Sequence, residues 1–305
     1  MKNPIKNTIQ RKQLAYVCLL LVALVAVLPN SYGGTPPTRV SHNTLKIEIS
    51  GNGQPVILLP ALGCPADMWD MTIRRVFGTH QCHKIHIPGY AGEQALAEPD
   101  FEIIVQDLSD YIAQNKLSNI ILMGHSFGGH LALRLAIVAN QCLSKLIIVD
   151  SYPFAAGIFQ ANITLEQSKQ QALMVEHQFN ALPDSIFAQQ QTNIYSAMVS
   201  DPDSAKSLVA QVLKSDRTTL SRAYYESLSM DLRPGLNHIQ AESLIIGSWA
   251  HAALMGKDKA YIQELLVNQY QNLAHGKIVV ANKARHFIML DEPSWFNEQL
   301  TKFIQ

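Results

Sequence analysis

The stretch Gly124-His125-Ser126-Phe127-Gly128-Gly129 sets a serine between glycines two residues before and two after it, and this bend constrains the chain more than any other segment. Just ahead of it, Asn119-Ile120-Ile121-Leu122-Met123 is a short apolar run of strand length. Just behind it, His130 to Val138 has the length and the alanine and leucine content of a buried helix. Passing from strand to helix through so tight a turn forces the serine into a strained backbone conformation, and the glycines remove side chains that would collide across the bend. The Ser126 hydroxyl is thereby presented at the tip of the turn, the setting of an activated nucleophile.

On this motif and its flanks, the chain resembles the α/β-hydrolases, a superfamily that includes esterases, lipases, proline iminopeptidases and dehalogenases. The resemblance runs from about residue 45 to the C-terminus. It implies an α/β fold with a mostly parallel central sheet flanked by helices, carrying an inserted helical cap. It also implies the order nucleophile, acid, histidine, with an oxyanion loop well upstream. Dehalogenation is disfavoured, because in the family that reaction uses a carboxylate nucleophile and this elbow holds serine.

The histidine expected from that order is His286. Lys277-Ile278-Val279-Val280-Ala281 reads as the last strand and Ser294 to Ile304 as an amphipathic final helix. Of the 11 histidines, only His286 lies between them. Imidazole suits the task of taking the serine proton and returning it to a leaving group, because its ordinary pKa lies near neutrality. His125 reads as a packing or hydrogen-bonding residue under the elbow. His80, His83 and His86 lack metal-site spacing, so neither zinc nor any cofactor is implied.

The oxyanion loop follows the strand Pro55-Val56-Ile57-Leu58-Leu59, where Pro60-Ala61-Leu62-Gly63-Cys64-Pro65 stands in place of the family's His-Gly pair. The resemblance assigns the two donors to the backbone N–H groups of Leu62 and Phe127, which tolerate side-chain change. The acid departs further. Ser243-Leu244-Ile245-Ile246-Gly247 matches the strand after which the family reads Gly-x-x-Asp, but Gly247 is followed here by Ser248-Trp249-Ala250. Asp150, at the end of the strand Lys145 to Val149, is the preferred substitute, since some members take their acid from that position. Asp258, Asp231 and a triad without a conventional acid are the alternatives.

Composition sets the remaining bounds. With 305 residues, 48% of them hydrophobic and 16% charged, the chain can bury a large core as one α/β domain, residues 34–305. Lys2, Lys6, Arg11 and Lys12 precede an apolar run of 15 residues, Leu14 to Leu28, and then Pro29-Asn30-Ser31-Tyr32-Gly33, so residues 1–33 read as a signal peptide or signal anchor. The domain is therefore expected to be exported, to the periplasm or the medium, with residues 14–28 as a membrane tether if the leader is retained. Without those four cations, 20 basic residues face 24 acidic ones, a net charge of about −4 with no basic cluster, which argues against nucleic acid as a partner. Three cysteines remain beyond the leader, Cys64, Cys82 and Cys142. An odd number leaves at least one free thiol, and Cys64 with Cys82 is the one bridge the strand order suggests.

Residues 154–230 change character, rich in Gln, Ala, Leu and Met without strand-like alternation, and read as a cap of several helices. Glu176 to Phe187 and Ser204 to Leu213 have helical apolar spacing. Met174, Phe179, Phe187, Tyr195, Met198, Tyr224 and Tyr225 either line an acyl or alcohol pocket or form the cap's own core, the second being favoured. These parts together point to a serine hydrolase acting on small carboxylic esters or related acyl compounds. An acyltransferase or amidase using the same residues and a non-catalytic ligand-binding protein of the same fold are the alternatives.

Overall fold

The computed structural model describes residues 37–253 and 256–305; the expected leader lies outside them. The described residues carry one eight-stranded sheet: β1 (Thr38–His42), β2 (Leu45–Ser50), β3 (Pro55–Leu59), β4 (Gln81–His86), β5 (Ile120–His125), β6 (Leu143–Val149), β7 (Glu242–Gly247) and β8 (Gly276–Val280). The spatial order is β1-β2-β4-β3-β5-β6-β7-β8. β1 and β2 run antiparallel on one edge, and every pair from β4 to β8 is parallel. The central parallel strands are almost continuously apolar because both faces are covered: every residue of β5 is buried, as are the last four of β3 and β6. These strands fall where the apolar runs of the sequence place them, to within two residues.

The helices are α1 (Asp70–Val76), α2 (Phe101–Gln114), α3 (Phe127–Val138), α4 (Ala156–Phe159), α5 (Leu165–Ala181), α6 (Asp184–Met198), α7 (Pro202–Val212), α8 (Arg217–Ser229), α9 (Ala250–Ala253), α10 (Lys259–Gln269), α11 (Ile288–Asp291) and α12 (Pro293–Ile304). Among the described residues none is long and apolar enough to cross a membrane. α3 is the most deeply set, with ten of its 12 residues buried, as the near-absence of charge in Phe127 to Val138 requires.

Helices α4 to α8 lie between β6 and β7, in the stretch expected to form the cap. Their starts are written in the sequence: Thr164 and Gln167 form a reciprocal capping box on α5, while Asp201 and Asp216 accept N–H groups at the starts of α7 and α8. The helix expected over Glu176–Phe187 does not exist as one piece. It divides at Leu182-Pro183, because proline offers no N–H and forces the residue before it out of the helical region; Leu182 is extended (φ −63°, ψ 139°).

The order of strands also places a crevice. The chain goes from β3 to β4 on one side, then returns past β3 to β5 on the other. The loops leaving β3 and β5 diverge at this switch point, and in open α/β sheets that is where ligands bind, outside the carboxyl ends of the strands.

Candidate active site

Ser126 leaves the end of β5 at that switch point. Its backbone has φ 55° and ψ −122°, a region that L-residues with side chains seldom occupy. The strain is held by three hydrogen bonds: its N–H donates to Val149 O at 2.9 Å, and its carbonyl accepts from Gly129 N at 2.9 Å and His130 N at 3.1 Å. The two outer glycines of the motif are needed for close approach. A Cβ on Gly124 would lie 2.2 Å from Gly128 O, and one on Gly128 would lie 2.3 Å from Pro60 O and 2.5 Å from Leu59 O. The start of α3 therefore rests directly on the end of β3.

Asp150 follows β6, the next strand over, and lies 2.6 Å through Oδ2 from His286 Nδ1. It too has positive φ, 43°, with its N–H on Ile246 O at 2.7 Å. Ser248, the first residue after β7, donates twice to the same carboxylate, from its N–H to Oδ1 and from its hydroxyl to Oδ2, both at 2.7 Å. Burial pushes this carboxyl up, but the bond and charge of His286 and the two Ser248 donors outweigh it and hold Asp150 below the usual carboxylate range. An ionised acceptor keeps the proton of a neutral His286 on Nδ1, which leaves the Nε2 lone pair free. No hydrogen bond joins Ser126 Oγ to His286 among the described residues.

The loop bearing His286 is tied down by acids that follow it. Glu292 Oε2 accepts from the N–H groups of Lys283 (2.7 Å) and Ala284 (2.8 Å), and Asp291 Oδ2 from that of Arg285 (2.8 Å). From beneath, His125 Nε2 donates to His286 O at 3.0 Å, and the two imidazoles are 4.6 Å apart. Burial and the neighbouring His286 push His125 down to about 3, so it stays neutral beneath the His286 loop.

The N–H groups of Leu62 and Phe127 find no hydrogen-bond partner within the described residues, although both residues are buried. Phe127 N–H is also the first of α3, where the helix dipole favours negative charge. A serine oxygen, an imidazole oriented by a carboxylate, and two unspent donors thus follow the carboxyl ends of β5, β8, β6 and β3, an arrangement suited to attack on a carbonyl.

The alternative acids are placed elsewhere. Asp258 caps α10 by accepting Tyr261 N–H at 2.8 Å, and Asp231 is bound by the Arg233 guanidinium at 2.7 Å. The aromatic residues of the cap divide as well. Phe179 packs on Phe187 (5.2 Å) and on Tyr224 (5.3 Å) as the cap's own core, and Met174 points outward. Cys64, Cys82 and Cys142 are free, and burial pushes the first two thiols up to about 12. A cleft of about 290 Å³ opens between the end of the Pro60–Pro65 loop, α7 and the segment after His286, with Met68, Leu208 and Phe287 beside Asp67, Ser204 and Gln211 in its lining.

One group of metal-ligating atoms, from Glu48, Asp67 and His86, comes within 4.8 Å. The Lys84 ammonium already lies 2.8 Å from Glu48 and 2.7 Å from Asp67 and Asp70, so a fixed cation neutralises that cluster. The roles of Ser248, Asp291 and Glu292 do not emerge from sequence reasoning. The nearest signal for Ser248 is its place directly after Gly247, where the family's strand ends.

The comparisons agree with this architecture. A family model described as "Alpha/beta hydrolase family" matches residues 56–299. The chain belongs to the alpha/beta hydrolase family. Among curated relatives of this hydrolase is the pimeloyl-[acyl-carrier protein] methyl ester esterase of Pectobacterium carotovorum, 25% identical over 86% of this chain and 99% of that one. The like-named protein of Nitrosomonas europaea is 24% identical, but the match spans only 36% of this chain and 42% of that one. Of solved structures, MenH from S. aureus superimposes with a TM-score of 0.71 at 16% identity, over 87% of this chain and 98% of that one, a likeness of fold.

Proposed function

We propose that this hydrolase cleaves small or medium carboxylic esters through an acyl-enzyme on Ser126. His286 takes the Ser126 proton as the oxygen attacks the carbonyl carbon, then returns it to the departing alcohol. Asp150 orients the ring and stabilises its charged form, and the Leu62 and Phe127 amides receive the oxyanion. Water then enters by the same route in reverse and frees the acid and the enzyme. The observation that carries this reading is the 2.6 Å contact of His286 Nδ1 with Asp150 beside the strained Ser126 elbow. The ester class is supported by the methyl ester named for the relatives. The non-catalytic alternative draws its support from the altered oxyanion loop and from the lack of a conventional acid, and the 2.6 Å contact of Asp150 with His286 weakens the second ground. Export to the periplasm or medium belongs to the same proposal and rests on the leader sequence alone.

The test is labelling of the purified protein with a fluorophosphonate probe, alongside turnover of short-chain aryl esters. Wild type should label and turn over, and Ser126→Ala and His286→Ala should do neither. Asp150→Asn should lose about 10³- to 10⁴-fold in kcat, while Asp258→Asn, which keeps a good helix cap, should match wild type. A folded wild-type protein that neither labels nor hydrolyses any ester would refute the proposal.

A further inference from the structure

The loop Pro60 to Pro65 lacks the family's His-Gly pair, so something else must fix the orientation of its peptides. Its carbonyls identify what does. Ala61 O accepts from Cys64 N–H at 3.0 Å, a bond within the loop. Leu62 O accepts from the Tyr195 hydroxyl at 2.6 Å, and Gly63 O from the Ser215 hydroxyl at 3.1 Å. Both hydroxyls come from the segment inserted between β6 and β7. Ser215 is itself held in place, because its oxygen accepts Ala91 N–H at 2.8 Å. The loop turns through Gly63 at φ 65°, with Leu220 and Val212 against that residue.

Tyr195 also meets the other side of the site. It lies on α6 and is 3% exposed, with its ring 6.2 Å from that of Phe287, the residue after His286. At the C-terminal end of the same helix Met198 O accepts Phe287 N–H at 3.3 Å, and just past it the extended Val199 accepts through its carbonyl from Arg285 Nη1 at 3.0 Å. Ser200 then donates to Asp291 twice, from N–H at 2.8 Å and from its hydroxyl at 3.0 Å. The C-terminal part of α6 and the residues that follow it therefore hold both the loop of the oxyanion donor and the loop of the histidine.

We infer that α6 is a strut and that Tyr195 is a positioning residue, whose hydroxyl, with that of Ser215 beside it, holds the loop in the conformation that aims the Leu62 N–H at the developing oxyanion. The inference rests on the serine-esterase reading. It differs from a pocket-lining role, because a hydroxyl that fixes a donor acts on the transition state more than on the bound ester.

The experiment compares wild type, Tyr195→Phe and Ser215→Ala in kcat and KM on a short-chain aryl ester, in inhibition by a trifluoromethyl ketone, and in hydrogen exchange of residues 60–65. Tyr195→Phe should lower kcat about ten-fold, the loss of one hydrogen bond's worth of transition-state aim, with KM within about two-fold. Affinity for the ketone, which forms an oxyanion, should fall in parallel with kcat, and exchange in residues 60–65 should rise at an unchanged melting temperature. A folded Tyr195→Phe with wild-type kcat, ketone affinity and exchange overturns the inference. Should Tyr195→Phe fail to fold, Ser215→Ala decides: the same pattern in smaller degree supports the strut, and wild-type behaviour overturns it. Exchange does not depend on turnover, so faster exchange in a variant of a wild type that hydrolyses no ester marks the failure of the esterase reading and not of the strut.

Discussion

Ser126 occupies a conformation that glycine adopts freely and serine does not, so the residue proposed to do the chemistry also works against the fold. Backbone strain of this kind is worth roughly 1–3 kcal/mol, partly offset in a glycine variant by the freer unfolded chain. Ser126→Gly should therefore raise the stability of the protein by about 1 kcal/mol in chemical denaturation while removing ester turnover. A variant less stable than wild type would show that the three hydrogen bonds at residue 126 outweigh the strain. Asp150 carries a positive φ as well, but aspartate accepts the left-handed region more readily. The polar residues around the site were unequally legible in sequence. Asp150 could be named only among alternatives, because whether its carboxylate meets the histidine depends on β6 lying beside β7, and strand order is not written in local pattern. Ser248 was invisible for a related reason: a serine after a strand has many uses, and only the register of β6 against β7 brings it to Asp150.

Helix α3 and the cap are joined by ions that the apolar pattern does not display. Arg134, on α3 and 5% exposed, binds Glu226 of α8 at 2.6 Å and Glu102 of α2 at 2.6 Å. The two acids differ in setting, since Glu226 is buried and also meets Arg222 at 3.3 Å, whereas the Glu102 side chain is 69% exposed. Removing one partner of a buried pair leaves an uncompensated charge, and removing an exposed one costs little. Glu226→Ala should thus destabilise the protein by about 3 kcal/mol and Glu102→Ala by less than about 1 kcal/mol, read from urea melts; equal losses would contradict the asymmetry. The elements themselves were largely legible. Runs such as Pro55 to Leu59 and Ser243 to Gly247 are short, mostly apolar and bounded by polar or turn-forming residues, and both fall in strands. At the break between α5 and α6 the apolar spacing and Pro183 point opposite ways, and the proline carries the stronger physical constraint.

At the scale of the molecule, the buried histidines link folding to pH. Burial pushes His83 down to about 4, and His125 and His130 to about 3, the last also by the charge of Arg134. In the unfolded chain each protonates near 6.5, so between that pH and about 4 the unfolded state binds more protons and stability falls as pH falls. Asp150, held low in the fold, adds a loss of the same sign only below about 3.8, its ordinary value. Melting temperature should accordingly decline steadily from pH 7 to pH 4.5 in thermal scans, and a flat profile across that window would show that these rings take up protons in the folded state. The contact at Gly128 has a consequence of another kind. Because the start of α3 meets the end of β3 backbone against backbone, the distance from Phe127 to the root of the loop at Leu59 and Pro60 is gauged by main-chain atoms. Side chains elsewhere in the sheet can then drift without moving that root, whereas the loop beyond it, held by Tyr195 and Ser215, ties the inserted helices to the site.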